Sequence, residues 1–296
     1  MNILNENGWC EMENISDINL QDGLTLEDTK SFSSKSPKCL YNTDVICTNE
    51  LGEVLFRKSN IITMSGRRFT LEKLFNINNQ SKLTLNEILN INPIQENLTS
   101  GPRKEQFICL FGVGNGGSGT TFGSVYSPAS IESNLYGLLP MRFVDKATDL
   151  DMETRQKYYM KKEMPGDKYA YFLKRFEQDP VIYLKQGDGT FVPSDDFNKP
   201  SSSSSNIALE SAEAYIEINL KVNSDDVREY LEWQQEESDN NIFGINELGL
   251  YFGFQEGVGL EWSDYLGVEL FSKLCFNTEA LDDESKELNI IYRIYI

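Results

Sequence analysis

The chain contains no histidine in its 296 residues. Histidine is the usual general base near neutral pH and the commonest protein ligand of transition metals. Its absence excludes Ser-His-Asp and Cys-His mechanisms and leaves an enzyme only carboxylate or lysine chemistry. Since the sequence has no set of residues typical of such an enzyme either, we expect a protein with no catalytic residues, no cofactor and no bound metal.

Long apolar runs and paired cysteines are also missing. The longest apolar stretches, such as residues 107–113, are far shorter than the about 20 residues of a membrane-spanning helix. The first residues have neither the basic start nor the apolar core of a signal peptide. The five cysteines form no Cys-x-x-Cys pair, and their odd number argues against a disulfide scaffold and for synthesis in a reducing cytoplasm. We expect no membrane partner.

Basic residues are scarce, because 27 Lys and Arg against 46 Asp and Glu give a net charge of −19. The acidic excess lies mainly near the end of the chain, where residues 206–296 hold 20 acidic and 5 basic side chains. A negative field of this kind repels phosphate groups, so we expect no sequence-specific nucleic-acid binding. Two interpretations stay open: a solvated surface that keeps the subunit soluble, or a face for a basic partner or for lining a DNA channel.

The composition divides the chain into three regions. Residues 1–50 are predicted to form an extended N-terminal arm, because the first forty are rich in Asn, Asp, Glu and Ser; a frayed terminus is the alternative. Residues 51–200 are predicted as an α+β region with a glycine-rich loop. Five serines at 201–205 indicate a linker. Residues 201–296 are predicted to be β-rich, either alone or in one sandwich with strands from 51–200.

Alternating and β-branched segments predict a mainly β protein with small α insertions (α+β) and a β-sandwich-like C-terminal part. The predicted strands are 53–57, 60–64, 107–111, 141–144, 169–177, 181–184, 214–222 and the closing segments of 246–296. The final run, 287–296, ends on an apolar residue, and this predicts a strand inside a sheet or at an interface.

Short helices and loops are predicted between these strands. Helices are expected to begin at Thr70, Thr84, Ser127 and Ser224, and Thr84 with Glu87 makes a capping box. Residues 65–69 are predicted as a turn, and residues 149–166 as a charged, mobile segment.

Residues 112–117 (GVGNGG) match the dinucleotide-binding pattern G-x-G-x-x-G, and Glu132 follows 20 residues after Gly112. Such a site needs a helix at the third glycine, because the helix N-terminus binds the pyrophosphate. The residues that follow, 118–124, are poor helix formers, and no Lys-Ser/Thr completes a phosphate-binding loop. We interpret the glycines as a loop that lets backbone approach a neighbouring chain closely, or as a hinge.

Two further sequence patterns suggest ligand binding, one of calcium and one of carbohydrate. Residues 149–153 (DLDME) carry three acidic side chains at alternate positions, but the segment lacks the glycine and the final glutamate of a calcium-binding loop, so a solvated acidic turn is expected. Several aromatic residues near the end suggest, as an alternative function, the carbohydrate-binding module of a tail fibre. They are Trp233, Tyr251, Phe252, Phe254 and Trp262.

Four segments resemble virion structural proteins of contractile-tailed bacteriophages. They are 67–72 (RRFTLE), 109–114 (CLFGVG), 246–250 (NELGL) and 288–296 (LNIIYRIYI). An NELGL strand, then an F-S-x-x-x-F-x-T strand, then a closing I-x-Y-x-I-Y-I strand is similar to the end of several tail-, baseplate- and neck-associated proteins. These are β patterns rather than an active-site signature, so no site residues follow from the resemblance.

The resemblance implies a non-enzymatic virion protein that is made in the bacterial host cytoplasm and assembled into the particle. The expected place is the neck or head–tail connector (collar), as a homo-oligomeric ring with portal-, neck- or tail-side proteins; a tail or baseplate subunit is the alternative. Addition of a strand to a neighbour's sheet would suit such a role. The residues expected at interfaces are Trp9, Gly112, Gly114, Gly116, Gly117, Tyr292, Tyr295 and Ile296.

Overall fold

The structure, a computed structural model, describes residues 42–75, 77, 84–89, 106–118, 124–186, 189–196, 213–223, 225–237, 244–255, 265–281 and 286–295. Sheet 1 contains β1 (Asn42–Thr48), β2 (Val54–Lys58), β8 (Val181–Lys185), β9 (Phe191–Pro193), β10 (Ala214–Val222) and β13 (Leu288–Tyr295). Sheet 2 contains β3 (Ile61–Ile62), β4 (Gln106–Gly114), β5 (Arg142–Asp145), β6 (Tyr158–Met164), β7 (Lys168–Arg175), β11 (Gly244–Gln255) and β12 (Tyr265–Ala280). The α-helices are α1 (Met64–Phe75), α2 (Leu85–Ile88), α3 (Met152–Arg155) and α4 (Arg228–Glu237).

The last strand lies in the middle of sheet 1. Sheet 1 has the order β2-β1-β13-β10-β8-β9, and sheet 2 has the order β3-β12-β11-β4-β7-β5, with β6 also paired to β7. Since β13 has β1 and β10 as antiparallel neighbours, the closing run is a strand inside a sheet, as predicted. Because β1 joins this sheet from Asn42 onwards, the arm predicted over residues 1–50 extends no further than residue 41. Residues 1–41 lie outside the described part of the chain.

The core between the two sheets follows from strand alternation. Its members include Leu288, Ile290, Tyr292 and Ile294 from β13, and Leu248, Leu250 and Phe252 from β11. Phe56 of sheet 1 stacks on Phe276 of sheet 2, with ring centroids 4.5 Å apart. The fold is therefore mainly β with small helical insertions and a sandwich-like pair of antiparallel sheets, which confirms the predicted fold class.

The other face of sheet 2 is covered as well. Helix α4 packs Tyr230 and Trp233 against Phe143, with ring centroids 5.3 and 5.0 Å apart. Together with Phe143, Leu85 of α2 and Leu135 of the connection between β4 and β5 form part of a second hydrophobic core on this face. Both faces of sheet 2 are therefore covered over its central part, where charged side chains such as Lys174, Glu247 and Lys273 are buried.

Helix α1 begins six residues earlier than the sequence predicts. The hydroxyl of Thr63 accepts a hydrogen bond from the Gly66 N–H at 3.0 Å, so Thr63 acts as the N-cap and residues 65–69 form helix rather than a turn. Thr70 lies inside the helix, where its hydroxyl donates to the Gly66 carbonyl at 3.0 Å. The second helix is as predicted: α2 follows Thr84, whose N–H donates to the Glu87 carboxylate at 2.8 Å.

Three other predictions are corrected. The helix expected from Ser127 is a loop of turns and bends. The segment expected to be mobile, residues 149–166, contains α3 and all of β6, which pairs with β7 in regular antiparallel register. The many charged residues of this segment suggested a solvated loop. Three residues at the start of β6, Tyr158, Tyr159 and Met160, are nevertheless buried. Helix α4 begins at Arg228 rather than near Ser224.

Lys174 and Asp226 form an ion pair in which neither side chain has any exposed surface. Lys174 of β7 places Nζ 2.9 Å from Asp226 Oδ2, donates to the Lys221 carbonyl at 2.9 Å and lies 3.1 Å from Glu177 Oε1. The Tyr158 hydroxyl donates to the other carboxylate oxygen of Asp226 at 2.5 Å. Burial, then the charge and hydrogen bond of Asp226, raise the pKa of Tyr158. This pair links β6, β7 and the turn after β10.

Three of the five cysteines lie among the described residues, and all three are free and buried. They are Cys47, Cys109 and Cys275. Burial raises the pKa of Cys47 to about 12 and that of Cys275 to about 11, so both are thiols rather than thiolates near neutral pH. None of the described helices is long and apolar enough to cross a membrane.

Candidate functional site

Two opposite charges are buried on neighbouring strands of sheet 2. Glu247 of β11 and Lys273 of β12 have no exposed side-chain surface, and Lys273 Nζ lies 3.1 Å from Glu247 Oε1. Leu248 and Leu250 point into the sandwich, so Glu247 points to the opposite face. A buried ion pair is stable only when further hydrogen bonds satisfy both groups. The partners of Glu247 and Lys273 therefore identify what this part of the fold holds in place.

The carboxylate of Glu247 binds the backbone of two loops. Its Oε2 accepts from the N–H groups of Gly116 at 3.1 Å and Gly137 at 2.8 Å. Its Oε1 accepts from the N–H of Tyr136 at 2.9 Å. Gly116 lies in the glycine loop, which we define as residues 112–118, the last three residues of β4 and the turn that follows them. Tyr136 and Gly137 lie in the stretch 124–138. One buried side chain thus joins both loops to the end of sheet 2.

Lys273 holds the 124–138 stretch through side chains. Its Nζ donates to Glu132 Oε2 at 2.7 Å and lies 3.0 Å from the centroid of the Tyr136 ring. The Tyr136 hydroxyl donates to the same carboxylate of Glu132. A cation over the face of an aromatic ring is attracted by the negative face of that ring, most strongly where water is excluded. Two carboxylates and one ring therefore surround a single ammonium group.

Asn246 binds the glycine loop beside Glu247. Its Oδ1 accepts from the Gly117 N–H at 2.6 Å, and its Nδ2 donates to Ser118 Oγ at 2.8 Å and Thr278 Oγ1 at 3.2 Å. Adjacent side chains of a regular strand point to opposite faces. The pairing of β11 with β12 is irregular between Ile245 and Glu247, and at this irregularity both Asn246 and Glu247 reach the same loop.

The glycines of this loop sit where no side chain fits. A Cβ on Gly114 would lie 2.6 Å from Glu247 Oε2, and one on Gly117 would lie 2.4 Å from the Asn246 carbonyl oxygen. A Cβ on Gly116 would lie 2.6 Å from the Gly137 nitrogen. The close backbone approach inferred from the glycines is therefore present within the chain itself. A further approach to a neighbouring chain stays a prediction.

We expect the Gly117→Ala variant to lower the free energy of unfolding by about 3 kcal/mol, because overpacking at a rigid backbone position cannot relax cheaply. The added methyl would meet the Asn246 carbonyl at 2.4 Å. Urea denaturation measures the loss. Gly166→Ala is the control: its Cβ meets nothing within 4 Å, so that variant carries only the cost of a left-handed residue, about 1 kcal/mol. Equal losses in the two variants would contradict the packing account.

Glu132 is ionised at lower pH than an ordinary glutamate. Burial acts to raise its pKa, but hydrogen bonds from Lys273, the Tyr136 hydroxyl and the Ala129 N–H outweigh burial and lower the pKa below 4.5. The same carboxylate, by accepting the hydroxyl's hydrogen bond, raises the pKa of Tyr136. The folded state therefore favours the ionised form of Glu132. This contribution is present above pH 4.5 and is lost as the pH falls through the lowered pKa of the folded state.

The stability difference between the wild type and Glu132→Gln should consequently depend on pH. We expect it to be constant from about pH 7 to about pH 5 and to shrink towards about pH 3, as the wild type loses its ionised carboxylate. Guanidinium denaturation at several pH values measures it, with the exposed Glu53→Gln as the matched control. A difference that stays the same down to pH 3 would show that the charge of Glu132 does not hold the loop.

The loop held by these charges presents large apolar side chains to solvent. Tyr126, Ile131 and Tyr136 are each at least 48% exposed. The two tyrosine rings meet edge to face with centroids 6.0 Å apart. The Met64 N–H donates to the Ser130 carbonyl at 2.6 Å, which joins the start of α1 to this loop.

The outer side of α1 continues the exposed apolar surface. Its four apolar residues are each more than half exposed, whereas Phe69 on the inner side is buried. We call the combined surface the apolar face. It consists of Met64, Leu71, Leu74 and Phe75 from α1 and of Tyr126, Ile131 and Tyr136 from the loop. Clustered apolar exposure of this kind marks interaction sites in soluble proteins, whereas single exposed residues do not.

Several residues predicted at interfaces lie inside the chain instead. Gly112, Gly114 and Gly117 are buried, and Gly116 is half-buried. Tyr292 is a core residue whose hydroxyl lies 2.5 Å from Ser272 Oγ, so its predicted place at a surface is corrected. The sequence pattern could not distinguish a buried central strand from an interface strand.

Three further residues were predicted at interfaces: Tyr295, Trp9 and Ile296. Tyr295 is half-buried, and its ring packs against Tyr215 with centroids 5.1 Å apart. Trp9 and Ile296 lie outside the described residues. The apolar face itself was not among the residues proposed for an interface.

The described members of the aromatic set that suggested carbohydrate binding do not form an exposed platform. Tyr251 and Phe252 are fully buried, and Trp233 packs on Phe143. Phe254 is half-buried, and Trp262 lies outside the described residues. The described members of this set are therefore structural.

The arrangement also does not resemble a nucleotide or metal site. In the described residues after Gly117, Ser118 bridges to Val125 rather than opening a helix, and Glu132 is bound to Lys273. No three Cys, Asp or Glu side chains of the described chain are grouped to hold a metal ion. Asp149 instead accepts hydrogen bonds from Lys161 and Tyr171, each at 2.7 Å.

One protein family has a model that matches residues 61–264 of the chain, and its description is a family of unknown function, DUF7208. The chain belongs to DUF7208. The matched region contains the glycine loop, Glu132, Asn246 and Glu247, whereas Lys273 follows it. No curated protein and no solved structure matches the chain. For this DUF7208 member, function must therefore be argued from its own surface and buried charges.

Sequence reasoning missed the roles of Asn246, Glu247 and Lys273, although a signal for them exists. Each stands in a strand among apolar residues, in the segments 245–250 (INELGL) and 271–276 (FSKLCF). A charged residue in a strand that is apolar on both faces is stable only with a buried partner. Two such residues of opposite charge therefore predict a buried ion pair between them.

Proposed function

We propose that the chain is a non-enzymatic structural protein of a contractile-tailed bacteriophage particle. It acts in the neck or head–tail connector, where copies form a ring in contact with portal-, neck- or tail-side proteins. It is made in the host cytoplasm and incorporated into the virion. A tail or baseplate subunit is the alternative within the same class.

The observation that carries this proposal is the way the buried charges are used. Glu247 and Lys273 direct their hydrogen bonds to the chain's own loops, and these loops present Tyr126, Ile131 and Tyr136 to solvent. A catalytic site would instead direct such groups towards a substrate. A subunit that acts by contact with other proteins needs an apolar surface that is held in place by the residues beneath it.

The charge distribution fits a place around a DNA channel. Residues 206–296 carry most of the net charge of −19, and phosphate groups are repelled by such a field. A ring of these subunits would let DNA pass without binding it. The likeness of segments 246–250 and 288–296 to the ends of neck-, tail- and baseplate-associated proteins supports the same class.

The proposal is tested by the mass and shape of the purified protein. Light scattering and negative-stain images of the same concentrated sample are expected to give rings or discrete oligomers. A strict monomer at all concentrations would count against a ring and would favour attachment that depends on a different protein. A glycan array and nucleotide titration calorimetry, both expected to be blank, test the carbohydrate-binding and enzymatic alternatives.

A further inference from the structure

The part of the apolar face that lies on α1 carries basic charge as well as apolar side chains. Arg67 is exposed on the same side of the helix as Leu71 and Leu74, at spacings of four and seven residues. Among the described residues no carboxylate pairs with Arg67, whereas Lys73 lies on the inner side of the helix, with Nζ 5.7 Å from the centroid of the Phe69 ring. Arg68, by contrast, is bound by both carboxylate oxygens of Glu269, at 2.7 and 2.8 Å. The outer side of α1 is thus apolar with one unpaired arginine, in a chain that is strongly acidic overall.

The orientation of α1 is set by its inner side. The Phe69 ring stacks on Phe252 with centroids 4.4 Å apart and meets Phe271 edge to face at 6.2 Å. A Cβ on Gly66 would lie 2.2 Å from the Phe271 carbonyl oxygen, so the helix backbone is pressed against β12. The exposed side is therefore a fixed feature of the folded chain. It cannot turn inwards without breaking these contacts.

The chain itself contains a segment of complementary chemistry. Residues 1–28 hold seven Asp and Glu and no Lys or Arg. The same segment contains apolar residues at short intervals. They are Ile3, Leu4, Trp9, Met12, Ile15, Ile18, Leu20, Leu24 and Leu26. An acidic segment with closely spaced apolar residues suits an apolar helix side that carries an unpaired arginine, because both the apolar and the charged contacts are satisfied together.

We propose that the outer side of α1 in one copy binds residues 1–28 of a neighbouring copy. The contact links subunits, since each copy offers one segment and one helix side. Exchange of identical segments between copies is a common route to oligomers, and a head-to-tail arrangement closes into a ring when the rotation permits. This inference rests on the self-assembly part of the proposed function. A segment docked on its own copy would cover α1 without joining subunits.

The apolar half of the contact is tested by sedimentation velocity of the full-length protein over a range of concentrations. Leu71→Glu combined with Leu74→Glu is expected to weaken self-association by about tenfold or more, since charges replace two central apolar contacts. Leu51→Glu is the matched control, because Leu51 is an exposed leucine in the turn between β1 and β2. Circular dichroism confirms that each variant is folded.

The charged half of the contact is tested by a charge exchange. Reversal on the helix, Arg67→Glu, and reversal in the segment, with Glu11, Glu13 and Asp17 all changed to Lys, should each weaken association about tenfold. The chain that carries both sets of changes should associate as the wild type does, because opposite charges face each other again. If either set of changes weakened association by unfolding the chain, the two effects would add in the combined variant. Restored association therefore excludes misfolding as the cause.

Three results would overturn the inference. They are a wild type that stays monomeric, Leu71/Leu74 variants that associate normally, and a combined charge exchange that restores nothing. A chain that fails these tests but is present in purified particles would leave the proposed function standing and exclude only this contact. A chain absent from particles would remove the proposed function whatever the sedimentation data give.

Discussion

Replacement of Glu247 by glutamine is expected to lower the free energy of unfolding by about 3–5 kcal/mol, although the two side chains have nearly the same shape. The carboxylate accepts on both oxygens, from Gly116 and Gly137 at Oε2 and from Tyr136 and Lys273 at Oε1. An amide has one acceptor oxygen and one NH₂ group. In either orientation the NH₂ group would face two donors, and the buried lysine would lose one of its two counter-charges.

The same change should also loosen the apolar face. Hydrogen exchange of the backbone N–H of either Tyr136 or Gly137 should accelerate strongly in Glu247→Gln, because the two groups bond different carboxylate oxygens and the one that faces the NH₂ group loses its acceptor. Glu53→Gln makes the same chemical change in an exposed turn and is expected to alter stability by less than about 0.5 kcal/mol. If the two variants unfold at the same denaturant concentration, Glu247 does not hold the loops.

Replacement of Lys174 by methionine is the second change with a large expected effect, again about 3–5 kcal/mol. Methionine fills a similar volume but leaves the Asp226 carboxylate buried without its cation, which lies 2.9 Å away in the wild type. The Tyr158 hydroxyl, which donates to Asp226 at 2.5 Å, cannot neutralise that charge. Thermal and urea denaturation measure the loss. Lys185→Met, which breaks the more exposed pair with Glu213, is the control and should change stability little.

A double variant separates the cost of an unpaired charge from the loss of an ion pair. Lys174→Met combined with Asp226→Leu removes both charges together, and most of the lost stability should return, because apolar pairs often replace buried ion pairs without loss. The double variant should therefore be more stable than Lys174→Met alone. If the two losses simply add, the penalty has another origin, such as the lost hydrogen bond to the Lys221 carbonyl.

Much of the fold follows from strand periodicity. The segment 214–222 alternates clearly and forms β10 with the predicted bounds, and the closing run forms β13. The start of α1 was predicted wrongly because Thr70 resembles an N-cap, whereas Thr63 performs that role through its bond to Gly66. The choice between two such threonines depends on how the helix meets β12, which is a tertiary contact. A local pattern does not contain it.

The site was predictable in part. The sequence singled out the glycines, Glu132 and the NELGL segment, whereas the residues expected not to form a helix, 118–124, lie mostly outside the described part of the chain. It gave Glu132 no partner, because Lys273 lies 141 positions away and is brought close by the pairing of β11 with β12. The exposed side of α1 could not be foreseen either. Its residues have the composition of a core helix, and only the packing of Phe69 and Gly66 decides which side faces the sheet.

The measurement that tests the central proposal most directly is whether this protein is present in purified phage particles, and where. Mass spectrometry of washed particles, with gold-labelled antibody in electron micrographs, is the experiment. The account predicts several copies per particle and label at the head–tail junction. Label on the tail or baseplate would move the protein to the alternative place within the same class. Absence from washed particles, with the protein left in the lysate, would contradict a structural role in the virion.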